Sequence, residues 1–315
     1  MPEPNTVPTP ESDFIWLNGG LVPWREARIH VLSHVVHYGS GVFEGIRAYA
    51  TPRGPAVLGL HPHVRRLFDS CKIVDMLLEY APETIAAAIL ETIRANRHDA
   101  CYIRPFVWRG YGPLGVDPAK NPIDVAVATL EWGTLMGEEA LTKGVDVGVS
   151  SWRRMAPDTH PAMAKTSGNY VNSQLVVREA KRHGYAEGIV LDVSGNVAEG
   201  SGENLFFVHD GALLTPPIGA SILPGITRGY VIQLAADLGV PVTQTRVPRE
   251  MLYIADEIFM TGTAAEITPV RSVDRKPVGN GTRGPLTARI QSEFFSILRG
   301  EAEDRHGWLT HVNEG

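Results

Sequence analysis

Short strand-like runs closed by tight turns are mixed with amphipathic helical runs along this chain in no regular alternation, and that mixture points to an α+β fold. The opening run FIWLNGGLVPW sets two apolar stretches about Asn18-Gly19-Gly20, the chemistry of a hairpin turn. A second strand is expected over 42–49. A helix over 61–78 follows from Val64, Leu67, Phe68, Cys71 and Val74, which recur at three- and four-residue spacing while Arg65, Asp69 and Lys72 fall elsewhere. Another helix, over 82–97, begins on a proline suited to a first helical turn. CYIRPFVW and IDVAVATL then read as strands.

Between residues 131 and 144 the strand pattern stops, and WGTLMGEEALTKG reads as a connection between domains. VDVGVSS opens a second half, followed by a helix over 169–183 that Gly184 stops. GIVLDV, a turn at 194–196 and the hairpin NLFFVHDGALLTP come next, with Asp210-Gly211 in its bend. A helix over 227–238, the strand DEIFMTG, a tight segment at 263–265 and a helix over 285–299 complete the chain. At 315 residues this suits two α+β domains, 13–130 and 145–315, joined by 131–144 and preceded by a flexible leader, 1–12.

The bulk numbers bound the function. The chain is 43% hydrophobic and 20% charged, enough for a core, with no run approaching the roughly 18 apolar residues of a membrane span. MPEPNTVPTPESD lacks the basic-then-apolar pattern of a secretory signal. Cys71 and Cys101 form no CxxC pair, which suits a reducing cytoplasm. A formal charge of −6 argues against a nucleic-acid surface. The expectation is a cytoplasmic protein with neither membrane nor nucleic-acid partners.

Lysine is scarce, and five of the six have ordinary settings: Lys72 and Lys181 on polar helix faces, Lys120, Lys143 and Lys276 in polar loops. Lys165, in PAMAKTSGNY, has small uncharged neighbours and precedes a helix. Burial disfavours the ammonium form, and a neutral amine is what Schiff-base chemistry needs. Tyr170 lies five residues on. Glu199, in the Gly-rich NVAEGSGENLF, could face a pyridine nitrogen and keep it protonated. SILPGITRG feeds a loop straight into a helix, so the N–H groups of Ile226 and Thr227 would face outward as a phosphate seat. Arg66 and the hydroxyl of Thr263 could add contacts. Tyr102 and Arg104, two apart on a strand, share a face, and a guanidinium beside a phenol suits a carboxylate. Each of these has a plainer structural reading when taken singly.

Taken in order, HYGSGVFEGIRAY, HVRRLFDSCKI, YIRP, SSWRRMAPDTHPAMAKTSGNYVNSQLVVREA, EGIVLDVSGNVAEGSGENLFFV, LPGITR and DEIFMTGTAAEITPVRSVD resemble one family. The chain is similar to the branched-chain aminotransferases, L-specific members of the fold-type IV pyridoxal-phosphate enzymes, from Phe14 onward. The resemblance implies the two-domain D-amino acid aminotransferase-like architecture and pyridoxal 5′-phosphate as cofactor. It implies exchange of the amino group of Leu, Ile or Val with 2-oxoglutarate. Lys165 would hold the cofactor as a Schiff base and carry a proton as base and acid. Tyr170 would bond its phenolic oxygen, and Glu199 its ring nitrogen. Arg66, the 223–227 segment (Leu223, Ile226, Thr227) and Thr263 would hold the phosphate. The substrate carboxylate would sit on Thr263-Ala264-Ala265, helped by Tyr102 and Arg104, with Tyr38, Phe43, Arg47 and Trp132 lining an apolar pocket. Family members place Tyr38 and the stretch near Val116 across a dimer interface, so a homodimer or larger homo-oligomer is expected.

One departure stands out: Leu135 occupies a position where the bacterial pattern WGxY has tyrosine, removing a hydroxyl from the region that recognises an acidic side chain. Other readings compete. D-amino acid or amine transaminases and aminodeoxychorismate lyase share the fold. A zinc site on His30, His34 and His37, with His61 and His63 close by, lacks acidic or cysteine ligands at proper spacing. GSGVFEG resembles a nucleotide-binding loop only loosely.

Overall fold

The Asn18-Gly19 turn closes its hairpin as the residue types dictate. β1 (Phe14–Leu17) and β2 (Gly20–Pro23) pair antiparallel with Leu17 opposite Gly20, and Asn18 and Gly19 take φ of 47° and 107°. The computed structural model describes residues 10–131 and 137–314. The hairpin belongs to an eight-stranded antiparallel sheet with β3 (Gly41–Phe43), β4 (Ile46–Thr51), β5 (Gly54–Leu58), β6 (Cys101–Arg109), β7 (Ile123–Leu130) and β18 (Leu309–His311). Its order is β18-β5-β4-β6-β7-β1-β2, with β3 also on β6. Beyond α1 (His34–Tyr38), α2 (Leu60–Ile73) carries the apolar stripe read from the sequence, and α3 (Pro82–Asn96) begins on the expected proline. Val64, Leu67, Ile85, Ile89 and Ile93 meet Val107, Val125 and Val127 in one core.

The second sheet has ten strands: β8 (Val145–Arg153), β9 (Glu187–Leu191), β10 (Asn196–Gly200), β11 (Asn204–His209), β12 (Ala212–Thr215), β13 (Val242–Gln244), β14 (Val247–Pro248), β15 (Glu257–Gly262), β16 (Glu266–Val273) and β17 (Lys276–Pro277). Parallel pairs join β8 to β9 and to β16. A parallel neighbour cannot be reached by a tight turn, so α5 (Tyr170–Arg182) makes the crossover from β8 to β9. α6 (Ile226–Asp237) and α8 (Pro285–Leu298) pack over Phe206 and Phe259, while α4 (Glu138–Lys143) and α7 (Met251–Ile254) are short connections. Among the described residues no helix is long and apolar enough to cross a membrane.

Among the departures from the sequence reading, four bear on the architecture. The strand over 42–49 is split at Glu44-Gly45. α2 stops at Ile73 rather than 78, because Asp75 turns left-handed at φ 54° and its carbonyl accepts from Arg109 Nη2 at 2.5 Å. β10 and β16 are strands where only turns or irregular chain were expected. The 145–315 boundary also needs correction: β18 pairs with β5 of the first sheet and Val312 enters the first core. An edge strand gains partners wherever its register fits, however distant in sequence.

At the split, Gly45 leaves room for the Tyr102 side chain. A Cβ there would lie 2.1 Å from the Tyr102 hydroxyl. Gly45→Ala is therefore expected to push the Tyr102 hydroxyl away from Arg104 and to cost about 1–3 kcal/mol of stability, the usual cost of overpacking a filled site. Denaturant unfolding checks it; an unchanged midpoint would show that Tyr102 relaxes freely.

Candidate active site

Lys165 sits where the two sheets meet. Its loop between β8 and α5 is clamped to the first sheet by backbone bonds from Phe43 N to Lys165 O (3.0 Å) and from Ser167 N to Gly41 O (2.8 Å). The Lys165 N–H donates to Ser70 Oγ on α2 at 3.0 Å. Both backbone groups of the lysine are thereby satisfied, and its position is set by the first sheet although its helix packs on the second. The ammonium nitrogen donates to the Tyr170 hydroxyl and lies 5.0 Å from the Phe43 ring centroid. Tyr170 is the first residue of α5, and its ring packs 4.7 Å from that of Phe43.

A cavity of about 560 Å³ opens in front of this pair. Glu199 of β10 forms one wall and is 5% exposed. Its carboxylate lies 2.6 Å from Arg154 Nη2 and accepts from Leu223 N at 2.9 Å and Asn204 Nδ2 at 3.3 Å. Burial pushes the Glu199 carboxyl above its usual range, with Arg154 and the Leu223 amide opposing.

The far end of the cavity is the start of α6. Gly225 is the N-cap and no side chain caps the helix, so the first N–H groups at Ile226 and Thr227 face a space that only an anion or water can fill. A Cβ at Gly225 would come within 1.9 Å of Asn204 Oδ1, so glycine is required for this approach. Arg66 reaches the same place from α2, its Nη1 donating to Pro224 O at 2.9 Å. Its Nε and Nη2 are held by Glu44 at 2.7 and 2.8 Å, and His63 Nδ1 lies 2.7 Å from the same carboxylate.

At the opposite end, Arg104 Nη2 donates to the Tyr102 hydroxyl at 2.8 Å, with its guanidinium 4.7 Å over the Phe43 ring. The turn 263–265 joins β15 to β16 and brings Thr263 and Ala264 to the cavity wall. Two buried polar atoms on or beside this wall, Arg104 Nε and Thr261 Oγ1, have no hydrogen-bond partner among the described residues. Such orphans are costly in a folded protein unless a ligand or water meets them.

The structure thus gathers Lys165, Tyr170, Glu199, Arg66, Leu223, Ile226, Thr227, Thr263, Ala264, Phe43, Tyr102 and Arg104 around one cavity. Three expected residues are placed elsewhere. Arg47 pairs with the buried Glu266 at 3.2 Å and lies 5.4 Å from the Tyr49 ring centroid. Ala265 is buried behind its turn at 3% exposure, where Thr268 Oγ1 donates to its carbonyl. Tyr38 is 46% exposed and stacks on His34 outside the cavity. Trp132 and Leu135 lie outside the described residues. Of the histidines, His34 meets Ser40 Oγ at 2.6 Å and Gly115 O at 3.0 Å, and His37 meets Val31 O at 3.0 Å.

Sequence reasoning missed Glu44, His63, Ser70, Arg154 and Asn204. Two had a signal. Glu44 is a lone carboxylate inside an apolar strand run, and His63 stands one turn before Arg66 on the same helix. Ser70 and Arg154 owe their roles to partners far away in the chain, whereas Asn204 meets Glu199, only five residues before it.

Residues 41–273 match the family Amino-transferase class IV. The branched-chain-amino-acid aminotransferase of Escherichia coli (strain K12) is 51% identical over 307 residues, covering 97% of this chain and 99% of that protein. A crystal structure of the Escherichia coli branched-chain amino acid aminotransferase superposes with a TM-score of 0.95 at 51% identity, covering 96% of this chain and 100% of that one. The branched-chain amino acid aminotransferase from Thermobaculum terrenum, in its PLP-form (holo-form), superposes with a TM-score of 0.89 at 32% identity, covering 96% of this chain and 99% of that one. Identity of the extent seen with the Escherichia coli protein, along nearly the whole length, comes from common descent rather than from a shared fold alone, and the chain belongs to the class IV amino-transferases, among the branched-chain-amino-acid aminotransferases of that class.

Proposed function

We propose that this protein moves the amino group of branched-chain L-amino acids to 2-oxoglutarate, with Lys165 as attachment lysine, base and acid. Class IV amino-transferases work with pyridoxal 5′-phosphate, which supplies an aldehyde to take up the amino group and an electron-withdrawing ring to stabilise charge at the substrate Cα. The observation that carries the reading is a single cavity with three differently charged corners: an amine beside a phenol, a buried carboxylate, and an uncapped helix start beside an arginine. That donor set fits the cofactor. Glu199 would accept from the ring nitrogen. Arg66, Thr263 and the amides of Ile226 and Thr227 would hold the phosphate through charge and the helix N-terminus.

Lys165 Nζ would take a proton from the substrate Cα and deliver it to the carbon of the cofactor's former aldehyde, and Tyr170, bonded to it, would keep the amine oriented. Thr263 and Ala264 of the turn, with Tyr102 and Arg104, would bind the carboxylates of both substrates. The Phe43 ring and the small Ala264 leave room for an aliphatic side chain. The exposed apolar residues Val36, Tyr38, Tyr111, Leu114 and Val116 lie on two segments joined by the His34–Gly115 contact. A second copy covering that patch would bring its own Tyr38 near this cavity, and we read the working unit as a homodimer or a larger homo-oligomer.

The visible spectrum of the purified protein tests the reading. The expected result is a yellow band that L-leucine bleaches without any oxo acid and D-alanine leaves intact. Bleaching by D-alanine alone would place the protein among the D-specific relatives. No band after added pyridoxal phosphate would overturn the cofactor assignment.

A further inference from the structure

Arg154 stands just past the end of β8, is 6% exposed, and has no part in the binding or proton transfer proposed above. Its Nη2 lies 2.6 Å from Oε1 of Glu199. A buried carboxylate and a buried guanidinium persist as charges only when each compensates the other. The rest of the guanidinium is also held: Nη1 donates to Asn172 Oδ1 at 3.3 Å and Nε to Ser221 O at 3.4 Å. Asn172 lies on α5, two residues from Tyr170, and its Nδ2 donates to Arg153 O at 2.9 Å. The second oxygen of Glu199 accepts from Leu223 N at 2.9 Å. The carboxylate is therefore fixed on both oxygens by groups from three separate segments.

We propose that Arg154 is a positioning residue of the cofactor ring, fixing the charge and orientation of Glu199 so that the proton between Glu199 and the ring nitrogen stays on the ring. The proposal rests on the reading of Glu199 as the partner of that nitrogen. A positive charge touching the carboxylate disfavours protonation of the carboxylate more than protonation of a base farther away, because Coulomb energy falls with distance. Burial pulls the Glu199 carboxyl up, and Arg154 is the largest influence opposing that pull. Without it, the proton moves toward Glu199 and the ring loses electron-withdrawing power.

The test is ¹⁵N NMR of holoenzyme carrying pyridoxal phosphate labelled at the ring nitrogen, for wild type, Arg154→Gln, Arg154→Met, Arg154→Lys and Glu199→Gln. The expected result is a wild-type signal at the protonated position. It moves toward the unprotonated position in Arg154→Gln and Arg154→Met, and the charge-keeping Arg154→Lys restores it. kcat falls about 10- to 100-fold in the two neutral variants, the order of loss when groups that orient metal ligands are removed. KM for L-leucine changes less than about threefold, because substrate contacts are untouched. Either neutral variant suffices if the other does not fold. A signal that stays put in the neutral Arg154 variants but moves in Glu199→Gln overturns the proposal and keeps the reading of Glu199. A signal that moves in none of them overturns both.

Discussion

Lys165→Ala is expected to abolish the visible band bleached by L-leucine and to lower kcat by at least about 10³-fold, the loss of a placed proton donor and acceptor. The backbone of residue 165 is held by Ser70 Oγ and by the Phe43 amide, neither of which needs the side chain. The variant should therefore fold and still bind cofactor. Fluorescence titration of the apoprotein with pyridoxal phosphate separates the two effects. Added methylamine should recover part of the rate, since the missing group is an amine in an otherwise intact cavity. A variant that keeps within tenfold of the wild-type kcat would remove Lys165 from its proposed role.

Glu44→Ala should produce the largest loss of stability. Glu44 is fully buried and holds both Arg66, through Nε and Nη2, and His63. Removing it leaves a guanidinium in a nearly dry site with only Pro224 O as partner, a penalty of about 3–5 kcal/mol. The thermal midpoint should fall by about 5–15 °C, measured by calorimetry, and pyridoxal phosphate should bind more weakly as Arg66 loses its orientation. A change below about 1 kcal/mol would mean that Arg66 finds another partner. The same group governs acid behaviour. Burial pulls the Glu44 carboxyl up, but Arg66 and His63 outweigh it and hold the group well below the usual carboxylate range. A depressed carboxyl contributes stability that is complete above the unfolded value, about 4.3, and that is lost as pH falls below it. Wild type should accordingly lose stability steeply below pH ~4, and Glu44→Gln should flatten that limb.

Local chemistry made part of the site legible. Lys165 stood out because its neighbours are small and uncharged while the other lysines sit in polar settings. The pairing of Tyr102 with Arg104 followed from strand periodicity, and Ile226 and Thr227 from a loop feeding a helix. Arg47 shows where such reading stops. On β4 the side chains alternate, and nothing near residue 47 in the sequence announces that Glu266, on a strand of the other sheet, will take its guanidinium. Glu44 and Arg154 are the same lesson from the other side. Glu44 shows locally only as a lone carboxylate in an apolar run and Arg154 as one of several arginines, and each became part of the site because a charge distant in sequence was buried against it.

What the sequence by itself determined is what depends on neighbours along the chain: the positive-φ turns at Asn18-Gly19 and Asp210-Gly211, the stripe of α2, the proline start of α3, the helix that starts just after Lys165. These follow from backbone sterics and from side-chain period, which act over a few residues. The tertiary structure alone decided the split at Gly45, the return of β18 to the first sheet, and the ion pairs behind Arg66 and Glu199. The room that Gly45 leaves for Tyr102, an edge strand finding its partner and a buried charge finding its counter-charge are all settled by distance in space, and no pattern along the chain encodes that distance.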